Sequence, residues 1–255
     1  MNYKEYVYRL KKEDFYQFLL DYGKGVRLLE EGKEDVVFAV YEPLQRFEPV
    51  EVREIKVITP KEGFKPITLG EFVVLPPWLK PIFINPGSAF GTGLHPTTQM
   101  CLRAIEEFFQ EGWSAIDVGC GSGILSIALK LKGASKVVAI DIDPQAVQEC
   151  KANAKLNHVE LEVYQAQPKD INQTFDFMVA NLETHIFFEV MEDLVKLFGK
   201  RAVLSGIYKK DELREMLKLL RNYPLKVKKR ISKKGWFCLV VEANSCHFPF
   251  KGVKS

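Results

Sequence analysis

The sequence predicts an α/β protein: a mostly parallel, Rossmann-like sheet whose last strand is antiparallel, preceded by a small ferredoxin-like α+β domain. Three observations predict it. From residue 97 onward, short apolar runs alternate with amphipathic helical stretches, the pattern of a parallel sheet wrapped by helices. Within that stretch the run Ala115–Val118 passes through glycines at 119, 121 and 123 directly into the helical run Ile124–Lys130, a sharp strand-to-helix turn. The chain then closes on two strand-like segments facing each other across Lys233-Lys234-Gly235, and so tight a hairpin joins antiparallel strands.

The elements follow in order. In residues 1–58, Tyr3–Leu10 reads as a strand, Lys12–Tyr22 as a short helix, and Gly25–Leu29 and Val36–Tyr41 as two strands around a turn at Gly32. A brief Pro43–Phe47 segment stands where a second helix belongs, and Val50–Ile58 is the last strand, giving the order β-α-β-β-(α)-β of a ferredoxin-like sheet. Residues 59–84 carry prolines at 60, 66, 76, 77 and 81 and read as a semi-stiff linker with two short strand-like pieces, Phe64–Leu69 and Phe72–Leu75. Residues 85–255 form the larger domain. Its expected elements are helix Thr97–Phe109, strand Ala115–Val118, the helix from Ile124, strand Lys136–Asp141, helix Pro144–Leu156 and strand Glu160–Gln165. Strand Phe175–Ala180, helix His185–Leu197, strand Arg201–Ser205, helix Asp211–Arg221 and the hairpin strands Leu225–Ser232 and Trp236–Ala243 complete it. Asp143-Pro144 reads as a helix start, with Asp143 as N-cap and Pro144 at the first helical position.

Bulk properties narrow the function. At 255 residues and 47% apolar composition, the chain can bury a full α/β core and a smaller companion. No apolar run approaches the length of a membrane span, and the N-terminus lacks a hydrophobic signal region, so a cytoplasmic protein is expected. Cysteines 101, 120, 150, 238 and 246 are scattered, odd in number and without C-x-x-C spacing, which fits reduced thiols and neither a disulfide framework nor a zinc site. A net charge of +3 is too small to argue for a nucleic-acid partner. Residues 1–58 hold 10 Lys or Arg against 12 Asp or Glu, a slightly acidic surface that suits a basic protein substrate or is simply solvated.

The chemistry concentrates in four segments. Asp117-Val118-Gly119-Cys120-Gly121-Ser122-Gly123 departs from the dinucleotide fingerprint, because position 124 is Ile where that motif needs glycine. A carboxylate at Asp117, two residues before Gly119, suits a ligand bearing an ammonium and a sulfonium better than a pyrophosphate. The ligand so described is S-adenosyl-L-methionine, lying against Gly119 and Gly121. Asp141 ends the next strand and can accept both ribose hydroxyls at the crevice where neighbouring strand ends converge. A second glycine-rich loop, Asn85 through Thr98, reads as a flap over the methionine end, with Phe90 an apolar wall and Thr98 a hydroxyl donor. The competing reading makes Phe90 a core residue and Thr97 or Thr98 helix caps; in either case His95 reads as a hydrogen-bonder in the loop rather than a base. Asn181, at the end of its strand, can accept an N–H from an amine and aim its lone pair at the transferable methyl, or else merely cap the next helix.

These segments, Asn-Pro-Gly-Ser-Ala-Phe-Gly-Thr-Gly-Leu-His-Pro-Thr-Thr, Asp-Val-Gly-Cys-Gly-Ser-Gly-Ile-Leu, Ile-Asp-Ile-Asp-Pro and Val-Ala-Asn-Leu, in that order, resemble the bacterial ribosomal protein L-eleven methyltransferases, the PrmA family. The motifs cover residues 85–182, and the arrangement of a small domain, a linker and a catalytic domain extends the likeness along the chain. The resemblance implies a class I methyltransferase fold and S-adenosylmethionine as methyl donor. It also implies an N-terminal domain that recognises ribosomal protein L-eleven, free or on the large subunit, whose lysine side chains and α-amine are methylated. Family cofactor contacts carry over to Thr98, Gly119, Asp141 and Asn181. The chain departs after Leu182, where Glu183-Thr184-His185 replaces a short Ala/Pro-containing stretch.

The expected mechanism is alignment of amine, methyl and sulfur. With no His/acid pair evident near the strand ends, water is expected to take the proton while Asn181 and backbone carbonyls orient the amine. Asn181 and Phe90 are the expected catalytic residues. His158, His185 and His247 have no assigned role, and no cluster has metal-ligand spacing. Positive charge gathers at Lys226, Lys228, Lys229, Arg230, Lys233 and Lys234. This run allows contact with nucleic acid without requiring it, since edge strands commonly carry lysine against aggregation. Two other classes remain open: an N-methyltransferase of another protein, nucleic acid or small amine, and a binding module with a vestigial cofactor site.

Overall fold

The computed structural model describes residues 2–22, 25–56, 65–87 and 89–244. The end of the first domain's last predicted strand (57–58), linker residues 59–64, Ser88, Cys246 and His247 lie outside the described residues. The chain divides into two compact units, Met1–Leu79 and Lys80–Ser255.

In the first unit, strands β1 (Asn2–Lys11), β2 (Arg27–Glu31), β3 (Asp35–Val40) and β4 (Glu51–Lys56) form one antiparallel sheet in the order β2-β3-β1-β4, with helix α1 (Lys12–Tyr22) between β1 and β2. This is the expected ferredoxin-like order. Strand alternation explains its core: Tyr8, Val36, Phe38 and Val40 share one face and α1 adds Phe15. The Phe15, Phe18 and Tyr8 rings lie 4.9, 5.1 and 5.7 Å from that of Phe38. The Tyr8 hydroxyl is satisfied by accepting from Leu44 N at 2.8 Å. The expected second helix at 43–47 is a turn. Two short strands, β5 (Ile67–Leu69) and β6 (Phe72–Val74), pair antiparallel across Gly70.

The second unit begins its regular structure with helix α2 (Pro96–Phe108). Strands β7 (Ala115–Val118), β8 (Val137–Asp141), β9 (Glu162–Gln165), β10 (Phe175–Asn181), β11 (Phe198–Tyr208), β12 (Leu225–Lys233) and β13 (Trp236–Ala243) follow. They stand in the order β12-β13-β11-β10-β7-β8-β9. All neighbours from β9 to β11 are parallel, and β13 is antiparallel to both β11 and β12, inserted between them. Helices α3 (Ile124–Leu131), α4 (Pro144–Leu156), α5 (Thr184–Leu194) and α6 (Lys209–Leu220) make the crossovers. Phe187 and Met191 of α5 and Met216 of α6 cover one face over Ile116, Val118 and Met178. Met100 and Ala104 of α2 and Leu125 and Leu129 of α3 cover the other over Ala115, Phe177 and Val179. Burial of both faces is why these strands read as continuous apolar runs. β11 is longer than the expected Arg201–Ser205, because a bulge at Gly206 (φ 101°) carries pairing with β13 on to Tyr208. Among the described residues no helix is long and apolar enough to cross a membrane.

Candidate active site

The strand order reverses between β7 and β10, and ligands of such sheets bind at the carboxyl ends around that point. β7 ends there on the glycine elbow, with Gly119 and Gly121 at φ 72° and 51°. The elbow is tied to the next strand by Gly119 N and Cys120 N, which donate to Ile140 O at 2.9 and 3.0 Å. At Gly121 the need for glycine is doubled: φ is left-handed, and a Cβ would stand 2.4 Å from the Phe90 carbonyl oxygen. The glycines therefore let two loops meet as well as clearing room for a ligand. Ser122 completes the junction, donating from N to Phe90 O at 2.9 Å and from Oγ to Gly91 O at 2.6 Å.

Asp117, on the α3 side of β7, is 1% exposed. Its Oδ2 accepts from Ser126 Oγ at 2.6 Å. Burial pushes its carboxyl up to about 7, the Ser126 hydrogen bond pulling the other way. Its Oδ1 is buried and has no hydrogen-bond partner among the described residues, and the same holds for Thr98 Oγ1 in the first turn of α2. Buried polar atoms normally have a partner, so these two oxygens are open to a ligand or an ordered water. Asp141, at the end of β8, accepts from Gly121 N at Oδ2 and from Asp143 N at Oδ1, each at 3.0 Å. A carboxylate offers about four lone-pair sites, so both oxygens keep acceptor capacity. Asp143 caps α4 as expected, accepting from Gln145 N at 2.8 Å, with Pro144 next. Asn181 ends β10 half-buried, in register with Ser205.

The flap is neither core nor cap of the kind the competing reading required. The Phe90 side belongs to the surface at 55% exposure, and α2 is capped by His95, whose Nδ1 accepts from Thr97 N at 3.4 Å, not by Thr97 or Thr98. The His95 ring stands between Phe90 and Trp236, with centroids 5.2 and 4.8 Å away, and Trp236 meets Tyr208 at 4.6 Å. Trp236, Tyr208, Ser122 and Ser126 carried no signal as site residues in the sequence. They come from β13, the end of β11, the elbow and α3, and only the folded sheet brings them against His95, the flap carbonyls and Asp117.

Beyond Asn181, His185 Nδ1 lies 3.5 Å from Glu183 Oε2, with both side chains largely exposed to solvent. Glu183 is the extended N-cap residue of α5 and His185 is in its first turn, a bend that brings side chains two positions apart together. The described cysteines are reduced and buried, and they meet in pairs, Cys101 with Cys238 and Cys120 with Cys150. Of the basic run, Lys228 pairs with Glu242 at 3.4 Å, Lys229 with Glu107 at 3.8 Å, and Lys233 donates to Gln99. Among the described residues no three His, Cys, Asp or Glu side chains converge as metal ligands.

The geometry suits a cationic nucleoside, and the comparisons with known proteins agree. A family model described as "Ribosomal protein L11 methyltransferase (PrmA)" matches residues 44–244. A ribosomal protein L11 methyltransferase of Aquifex aeolicus is 46% identical over 244 residues, covering 95% of this chain and 99% of its own. A crystal structure of a ribosomal protein L11 methylase from Lactobacillus delbrueckii subsp. bulgaricus superposes with a TM-score of 0.60 at 26% identity, covering 71% of this chain and 100% of that one. A putative RNA methyltransferase of Pyrococcus horikoshii, at TM-score 0.52 and 17% identity over 58% of this chain and 83% of its own, shares the fold alone. The chain belongs to the ribosomal protein L11 methyltransferase (PrmA) family.

Proposed function

We propose that this chain transfers methyl groups from S-adenosylmethionine to amine nitrogens of ribosomal protein L11, lysine side chains and the α-amine. Family membership supports the substrate. The observation that supports the cofactor is the pair of buried, unpartnered oxygens, Asp117 Oδ1 at the end of β7 just before the glycine elbow and Thr98 Oγ1 in the first turn of α2. The bound donor supplies an intrinsically activated methyl group, so the protein's work is binding and alignment.

In this reading Asp117 and Thr98 take the methionine end. Gly119 and Gly121 present bare backbone, and Asp141 accepts from the ribose. Asn181 touches both cofactor and acceptor, accepting one amine N–H, and Phe90 walls the methyl from water. A lysine amine titrates near 10.4 in water and attacks only when neutral; desolvation in the crevice and a nearby sulfonium both lower that value. Residues 1–58 recognise the substrate, 59–84 link and 85–255 catalyse. A ribosomal protein substrate supports a cytoplasmic location for the chain.

Radiolabelled methyl donor with purified ribosomal protein L11 and with intact large subunits, followed by mass mapping of the product, tests the activity. Removing residues 1–79, the whole first compact unit, should abolish protein methylation and leave donor affinity nearly unchanged. Loss of both would refute separable roles.

A further inference from the structure

Helix α4 and its C-cap residue carry Glu149, Asn153 and Asn157 at four-residue spacing, on one stripe of the surface. Opposite them runs the segment leading into the flap. Asn157 Oδ1 accepts from Phe83 N at 2.7 Å and its Nδ2 donates to Phe83 O at 2.6 Å. Asn153 Oδ1 accepts from Asn85 N at 2.9 Å. Gly87 stands against Glu149 so closely that a Cβ there would lie 2.4 Å from its carboxyl carbon, and the same carboxylate accepts from Ala89 N at 3.1 and 3.2 Å. Four residues of helix rise about 6.0 Å and two of extended chain about 6.6 Å. The near-match lets residues 83, 85 and 87 meet 157, 153 and 149 in step.

The middle rung does more than hold the segment. Asn153 is 1% exposed, and its Nδ2 donates to Ser122 O at 2.9 Å. Ser122 is the elbow residue that donates to Phe90 O and Gly91 O. One buried amide therefore joins the flap's incoming strand to the cofactor elbow, and Ser122 closes the circuit on the flap itself. We infer that Asn153 is a positioning residue for methyl transfer, fixing flap and elbow as a single preset unit, with Glu149 and Asn157 as the flanking rungs of a polar ladder.

The inference rests on the cofactor reading above, and one set of measurements separates the two. Wild-type protein that fails to bind S-adenosylmethionine in calorimetry sinks the cofactor reading itself. If it binds, Asn153→Ala should raise the dissociation constant about tenfold or more, the scale of losing a buried hydrogen-bonded pair. Amide exchange should quicken together at Asn85 and Ser122. Unchanged affinity in folded Asn153→Ala, or quickened exchange at Asn85 alone, overturns the inference, since a merely structural amide would lower the melting temperature without moving either. Should Asn153→Ala not fold, Asn157→Ala removes the outer rung instead. A severalfold loss of affinity with faster exchange at Asn85 supports the ladder, and an unaltered affinity with Phe83 alone released refutes it.

Discussion

Asp117→Asn tests the electrostatics of the site through stability and binding at once. In the folded chain burial holds this carboxyl up to about 7, against 3.8 in its unperturbed state. Between those values the folded chain keeps a proton that the unfolded chain has released, so this group's contribution to stability falls as pH rises through the window and levels off above 7. Two pH units, from 5 to 7, correspond to about 3 kcal/mol. Asparagine removes the titration, and its Oδ1 can still accept from Ser126 Oγ, now 2.6 Å from Asp117 Oδ2. Its buried amide N–H groups bring a pH-independent penalty of about 1–3 kcal/mol if unpaired, so the informative quantity is a change with pH. In urea denaturation without ligand, the stability of the variant minus that of wild type should climb by up to about 3 kcal/mol from pH 5 to 8. Its donor affinity should drop by about 1.5–3 kcal/mol at pH 8, the worth of a hydrogen bond to a charged group. A difference that stays flat with pH, or a variant that binds the donor as well as wild type, refutes the argument. The wild-type chain on this account sacrifices stability at neutral pH to keep a buried anion ready for a cationic ligand.

Two further substitutions probe the neighbouring parts. Gly121→Ala forces a Cβ to 2.4 Å from Phe90 O at a left-handed φ of 51°, so the elbow and flap must separate. Beyond about 1–2 kcal/mol of backbone strain, calorimetry should show a marked loss of donor affinity, and wild-type binding would mean the junction is irrelevant to the site. Asp141→Ala removes the acceptor for Gly121 N and Asp143 N as well as the proposed ribose contact, and should weaken the donor by about 1.5–3 kcal/mol. Unaltered affinity in titration would refute the ribose assignment.

Much of the fold was legible because its signals are local. The alternation of Tyr6, Tyr8 and Leu10, the Asp143-Pro144 helix start and the Lys233–Gly235 hairpin each lie within a few residues, and each forms as the sequence predicts. The misreadings have equally local causes. Gly206 looked like a strand end and is a bulge within one, because pairing with β13 continues past it. Residues 43–47 looked like a stunted helix and make a turn.

The amino-acid order alone determined the strand-to-helix elbow, the acids at 117 and 141, the asparagine ending β10 and the family to which they belong, because each depends on a short window and a fixed spacing. The tertiary structure decided what those residues touch. Sheet register and helix docking set Ser126 on Asp117, Ser122 on the Phe90 and Gly91 carbonyls, and Asn153 between elbow and flap. They also set Trp236 from the far hairpin against His95. Such partners are 9 to 141 positions apart along the chain. No periodicity within one segment encodes them: they follow from how whole elements pack, and packing is a property of the assembled core.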